Sequence, residues 1–278
     1  TATIASNLIG TSDLVKNDLG TLILTGNNSY QGDTQVLAGA LVGDVAAIKG
    51  DIANAGTVIF DQAADARFDG DVAGSGGDTG VMVKKGSGVL TLAGTSALDW
   101  SIDEGGLVSG GERFTGNAAL GAGASLTFEQ AENASYSGMI SGEGRFVKDG
   151  AAALRLTGDS SAFDGQVEIR AGALQVEGVL GGTLHVLNGA RLGGNGIVGT
   201  TIVASGATIA PGNSIGTLTV DGDITFAAGS IYEVEVDPTG TGSDLIAASG
   251  TPFLQGGSVV HNGAGRTYDP TRSYTVLS

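Results

Sequence analysis

A stretch of 29 residues, LVKNDLGTLILTGNNSYQGDTQVLAGALV from Leu14 to Val42, constrains this chain most, because it comes back twice. Aligned on glycines, it returns near 81–108 with Val89-Leu-Thr-Leu-Ala-Gly94, and near 146–176 with Leu154-Arg-Leu-Thr-Gly158. The shared core is L-x-L-x-G, then an aromatic residue or Leu, then a second short run closing on G-x-L. The anchoring glycines Gly26, Gly94 and Gly158 are 68 and 64 residues apart. The spacer repeats too: Thr57-Val-Ile-Phe60 through Gly76 matches Ser125-Leu-Thr-Phe128 through Gly144 at an offset of 68, without a gap. A cycle of that length divides into about three coils of roughly 22 residues, as in a stacked repeat array.

The runs between glycines are short and apolar or alternating: Thr21–Thr25, Gln35–Leu37, Thr57–Phe60, Val89–Leu92, Ser125–Phe128, Gln166–Arg170 and Thr217–Val220. Bounded by Gly, Asn, Asp or Ser, they read as strands. Only Asp44–Ala53 has a helical look, and Gly50 interrupts it. Such strands suit antiparallel hairpins or the coils of a parallel β-helix. A long cycle of unlike strands favours the helix, in which each strand pairs with its equivalent one coil away. The expected fold is therefore all-β, a right-handed parallel β-helix of roughly 12 coils, about 60 Å long at ~4.8 Å per coil.

Composition agrees with a folded chain. Fifty glycines without a G-X-Y period exclude collagen, and 41% hydrophobic against 15% charged residues argue against disorder. A net charge of −16 disfavours nucleic acid and anionic membrane surfaces as partners. No apolar run is long enough to span a bilayer, and TATIASNLIG has no signal-like n- or h-region, so Thr1 reads as an internal or processed start. Zero cysteines exclude disulfides and thiolate metal sites.

The character changes near Gly181. All four prolines (Pro211, Pro238, Pro252, Pro270) lie beyond residue 210, and the long cycle is no longer readable there. Residues 1–180 are expected to be the repeat array and 181–278 a C-terminal segment that closes it, since a solenoid needs a cap over its open edge.

The pattern K-x-G-x-G-x-L-x-L-x-G-x-N-x-Y-x-G-x-T-x-V-x-A-G-x-L resembles the passenger-associated strand repeat of bacterial autotransporters, the type V secretion proteins. Lys16 to Leu41 holds it best, with Asn28, Tyr30, Gly32 and Thr34 in place; the second copy has Leu98 for the Tyr and a shorter span, and the third has Phe163. Gly206-Ala-Thr-Ile-Ala-Pro211-Gly-Asn-Ser214 through Val220, with Gly229–Val236, Ser243–Ile246 and Tyr274–Leu277, looks like the autochaperone segment that precedes the outer-membrane barrel. The resemblance implies a membrane-proximal passenger fragment displayed on the bacterial surface or secreted. Its partner would be its own outer-membrane translocator, absent from this sequence, with a host surface or another passenger as further possibilities.

Candidate chemistry is sparse. Gly194-Asn-Gly196-Ile-Val-Gly199 matches the dinucleotide fingerprint, but Thr200–Gly206 reads as strand and turn where a helix is needed. Asp159-Ser-Ser161 reads as a turn matching Asn27-Asn-Ser29 rather than as a nucleophile loop. The turns Asp69-Gly-Asp71, Asp221-Gly-Asp223 and Asp237–Asp244 offer oxygen ligands for a weak calcium ion, yet match no calcium motif and read as solvated. His185 and His261 are too few for a zinc site. Trp100 falls at a turn position and reads as a shield over the coil edge. No catalytic, cofactor or metal residue is assigned. Three functions are weighed: a non-catalytic stalk, an adhesive surface for host attachment or cell-to-cell aggregation, and an enzyme, for which no paired nucleophile and base is found.

Overall fold

In a computed structural model that describes residues 1–77, 79–263 and 271–278, the chain is a parallel β-solenoid of about 12 turns. Asp78 and 264–270, which include Pro270, lie outside the described residues. Every strand pairing between named strands is parallel, and no α-helix occurs among the described residues. Two compact units are formed, Thr1–Thr127 with Gly142–Arg145, and Phe128–Ser141 with Phe146–Ser278.

The N-terminal unit has three faces. The first stacks Ala2–Ile4, Thr21–Leu24, Ala40–Gly43, Thr57–Asp61, Val81–Lys85, Trp100–Ile102 and Ala118–Leu120. The second holds Ile9–Gly10 and Ser29–Tyr30, then Ala66–Phe68, Val89–Leu92 and Gly106–Ser109. The third stacks Leu14–Lys16, Thr34–Val36, Ile52–Asn54 and Val72–Gly74, and continues as single bridges from Val72 to Ser96 and from Ser96 to Phe114. Period-2 alternation sorts side chains into the core or outward. In Thr57–Asp61, Val58 and Phe60 are buried while Thr57 and Ile59 face out.

Coil length departs from the 22 residues expected. On the first face Thr21 pairs with Ala40, Ala40 with Thr57 and Thr57 with Val81, steps of 19, 17 and 24 residues. The difference is taken up between the first-face strands, in the corners and on the second face. The 68-residue cycle is therefore not three whole coils. Leu14–Lys16 of the first copy lies on the third face, while its counterpart Val81–Lys85 lies on the first; likewise Thr21–Leu24 is on the first face and Val89–Leu92 on the second. One copy to the next is three coils plus one face.

Asp44–Ala53 is not a helix either. Asp44 opens one helical turn, its carbonyl accepting from Ile48 at 2.9 Å and its carboxylate from Ala47 at 2.9 Å. That turn stands where a second-face strand would be, between Ser29–Tyr30 and Ala66–Phe68. The repeat residues hold it: Asn28 Nδ2 donates to Ala47 O at 2.7 Å, the Tyr30 hydroxyl accepts from Lys49 N at 2.9 Å and lies 2.7 Å from Thr34 Oγ1.

Trp100 is corrected from edge shield to core. It opens a first-face strand, is 2% exposed, stacks on Phe60 at 6.2 Å and donates Nε1–H to Ser96 Oγ at 2.8 Å.

In the C-terminal unit three stacks run in the same way, through Gln166–Ile169, Ala153–Leu156 and Asp159–Ser160 and their successors. The last coil is Leu245–Ala248, Pro252–Leu254 and Ser258–His261. The tail returns onto the first of these, with Ile246 N to Val276 O at 3.0 Å and Ala248 N to Ser278 O at 2.9 Å. Leu254 and Val259 in the other two strands are 69% and 65% exposed.

Candidate functional site: a lysine clasp at one corner of each repeat

Each of the three copies carries a buried lysine at the end of its opening strand or one residue before it: Lys16, Lys84 and Lys148. These are three of the five lysines in the chain. A charge this deep must be met by acceptors, since an unpaired buried ion is costly. Main-chain carbonyls supply them. Lys84 Nζ donates to Lys85 O and Gly86 O, both at 2.7 Å, and to Glu104 O at 3.2 Å. Lys148 Nζ donates to Asp149 O, Gly150 O and Ala171 O, each at 2.9 Å. Lys16 Nζ donates to Asp18 O and, at 3.0 Å, to Ala38 O.

The geometry recurs down to its partners. One acceptor set belongs to the lysine's own corner and the last acceptor to the next coil, so the ammonium ties two coils together. That last acceptor, Ala38, Glu104 or Ala171, always precedes a glycine with positive φ: Gly39 at 68°, Gly105 at 67°, Gly172 at 64°. Only glycine takes that conformation without penalty. A Cβ on Gly172 would also come within 2.6 Å of the Gly150 and Ala152 carbonyls. The A-G-x-L at the end of the repeat is thus the receiving half of the clasp that the opening lysine closes. In the N-terminal unit the Lys16 clasp sits between the third and first faces and the Lys84 clasp between the first and second, following the one-face step between copies.

Burial pushes the Lys148 ammonium down to about 8, Asp149 opposing the shift, and lowers Lys84 against the pull of Asp61, Glu104 and Asp65. With all three N–H groups of Lys84 and Lys148 given to carbonyls, neither amine is free for nucleophilic work.

The carboxylates of the turns are spent on partners within the chain, most of them backbone amides. Asp13, Asp33, Asp51 and Asp71 form a ladder at one corner, each Oδ1 accepting from the amide one coil on: Asp33 N at 3.0 Å, Asp51 N at 3.0 Å, Asp71 N at 2.9 Å and Thr95 N at 2.6 Å. The bonds to Thr95 hold Asp71 below the usual carboxylate range. Asp69 pairs with Arg67 at 2.7 Å, Asp221 accepts from Ser249 Oγ, Asp223 from Thr251 N, and Asp237 from Thr239. Asp244 is buried; desolvation raises it while the amides of Glu235 and Gly216 oppose. Among the described residues no three His, Cys, Asp or Glu side chains gather as metal ligands.

The remaining candidates stay apart. Asp159 caps Ser161 N at 3.0 Å and Ser160 Oγ accepts from Ile140 N at 2.9 Å, so that turn is structural. His185 faces out from Thr183–Val186, in register with Glu168 and Ile202, while His261 ends Ser258–His261 in a different sheet. Gly194 closes one strand, and Ile197–Val198 and Thr201–Val203 are strands where a dinucleotide site needs a helix.

The chain is thus a parallel β-solenoid whose three repeats each carry a lysine clasp, and comparison with known sequences finds those same three segments. Residues 14–42, 82–108 and 146–176 match the passenger-associated-transport-repeat family. The chain is also similar to the adhesin BmaC autotransporter of Brucella suis biovar 1 (strain 1330), 32% identical over 185 residues. The match covers 66% of this chain and 4% of that protein. The chain carries three autotransporter passenger repeats on a β-solenoid.

Proposed function

We propose that the chain is a non-catalytic stalk of an adhesin-type autotransporter passenger, which carries a functional region away from the cell and helps the passenger fold during secretion. The observation that carries this reading is the lysine clasp: the lysine shared by all three repeat copies joins one coil to the next. Nearest-neighbour cohesion is what a solenoid needs for propagating order along its length.

Residues 181–278 take the closing and folding-promoting role. Support comes from the tail, where Tyr232 donates to Val276 O at 2.6 Å and Tyr274 to Asp237 O at 2.7 Å, tying the last residues to the final coils. The partner is an outer-membrane translocator in the same polypeptide, and the location is the bacterial surface. The name of the related protein favours adhesion as a second reading, with a host surface or another passenger as the target.

Refolding from denaturant separates these roles. Chains 1–278 and 1–180 are compared by far-UV circular dichroism and protease resistance. Recovery by the longer chain alone supports the folding role; equal recovery by 1–180 removes it and leaves an adhesive surface as the better use of the same coils.

A further inference from the structure

The tail of the C-terminal unit reaches a peptide bond of special chemistry. Beyond the strand Ile231–Val234 the chain turns through 237–243 before it enters Leu245–Ala248, and the turn opens on Asp237-Pro238. Asp237 N closes the turn by donating to Gly242 O at 2.8 Å. The returning tail pins it, Arg272 donating to Gly240 O and Ser243 Oγ to Thr275 O at 2.9 Å. One more tail contact falls on the bond itself: the Tyr274 hydroxyl donates to the Asp237 carbonyl, the one joined to the Pro238 nitrogen, at 2.7 Å.

An aspartate carboxylate can reach its own main-chain carbonyl carbon and close a five-membered ring. Here each part that such a reaction needs is in place. The Thr239 amide and hydroxyl bind Asp237 Oδ1 at 2.8 and 2.9 Å and hold the carboxyl below its usual range, so it stays ionised in mild acid. Tyr274 sits where negative charge develops on the carbonyl oxygen as its carbon is attacked. The leaving nitrogen belongs to proline, which has no N–H to commit to an acceptor and departs as a secondary amine. Asp237 and Pro238 are both half-buried, within reach of water.

We infer that Asp237–Pro238 is an acid-triggered self-cleavage site, with Asp237 as the nucleophile and Tyr274 as the donor to the oxyanion. A carboxylate oxygen of Asp237 bonds to its own carbonyl carbon, and the carbonyl electron pair moves onto the oxygen that Tyr274 holds. When the pair returns, the bond to the Pro238 nitrogen breaks, and that nitrogen takes its proton from the acidic solvent. One water then opens the cyclic anhydride left on Asp237 to two carboxyl groups. Nothing is oxidised or reduced, and the sum is one peptide bond hydrolysed. The cut divides 1–237 from 238–278, which still meet through Leu245 N to Gly216 O at 2.9 Å and Tyr232 to Val276 O at 2.6 Å. The coils thus stay closed after their covalent link to the last coil is gone. The inference concerns the chemistry of the closing segment and holds whether or not that segment promotes folding.

The test follows the 278-residue chain by intact mass from about pH 7 to about pH 3, over the range in which circular dichroism shows the strands intact. The expected result is two fragments, 1–237 and 238–278, whose masses sum to the parent plus one water, formed faster as the pH falls. The chain unfolded in urea gives the intrinsic rate of the same bond, and the folded chain is expected to exceed it at least about tenfold. Tyr274→Phe with its strands intact drops to the intrinsic rate. Asp237→Glu keeps the charge and the Tyr274 donor but needs a six-membered ring, and it resists the cut for a reason that loss of fold cannot imitate. An intact bond at every pH overturns the inference, as do equal rates in the folded and unfolded chains or a cut that Tyr274→Phe leaves unchanged.

Discussion

The ammonium of Lys148 donates to the carbonyl of Ala171 at 2.9 Å, across one coil of the solenoid. Replacing Lys148 by Met keeps the stem's volume and removes the donor, leaving the carbonyls of Asp149, Gly150 and Ala171 buried without it. Unsatisfied buried acceptors cost about 1–3 kcal/mol each at most, with some relief from relaxation, so Lys148→Met is expected to lose about 2–4 kcal/mol. Urea unfolding monitored by circular dichroism checks it. A change below about 0.5 kcal/mol would show that the clasp contributes no cohesion.

The same lysine titrates within reach. Its folded value of about 8 lies below the ordinary lysine value of 10.5 because burial disfavours the charge. Between those values the unfolded chain holds more protons than the folded one, so the group's contribution to stability rises with pH across about 8 to 10.5 and is flat below. The full effect is at most about 3 kcal/mol from this site. Nitrogen-15 shifts of Lys148 Nζ followed against pH give the midpoint directly; one near 10.5 would mean that the three carbonyls hold the proton against burial.

The receiving glycine is expected to be as sensitive as the lysine. Gly172→Ala forces a Cβ into positive φ and into carbonyls 2.6 Å away, and should lose about 2–4 kcal/mol. Gly20→Ala is the control, since a Cβ there meets nothing within 4 Å and φ is not in the left-handed region. It should leave stability unchanged or raise it slightly. Thermal unfolding of the two variants beside the parent decides, and equal effects would remove the distinction.

Much of this architecture was legible in the sequence, and the reasons for the rest are local. Strands such as Thr57–Asp61 and Val89–Leu92 announce themselves by alternation between turn residues, and the recurrence of unlike strands at long offsets points to stacked coils. Coil length did not follow, because glycine anchors count residues between copies and not faces; a copy that advances three coils and one face looks the same in sequence as one that advances three coils. Lys16, Lys84 and Lys148 were visible as part of the motif, but a lysine ordinarily reads as solvated. The missed signal was position: each stands where alternation places an inward residue, as in Val81–Lys85, with Met82 and Lys84 both buried. The Asp ladder escaped for a similar reason, since Asp33, Asp51 and Asp71 read as independent turns until coil stacking brings each under the next amide.

Trp100 was misread because the second copy is short, and its indole offers the last prediction. It is the single tryptophan of the chain, so intrinsic fluorescence reports on one place in the N-terminal unit. Buried against Phe60 and bonded to Ser96 Oγ at 2.8 Å, it should emit well to the blue of a solvated indole and shift red on unfolding. Ser96→Ala removes the acceptor and leaves Nε1–H buried without it, at a cost of about 1–2 kcal/mol. Ser96 also bridges Val72 and Phe114 on the interrupted third face through its backbone, which the substitution leaves intact. The loss should therefore appear in the fluorescence-detected transition while the native emission stays blue. A red native emission in the parent protein would instead place Trp100 at the solvent edge, as its turn position in the repeat first suggested.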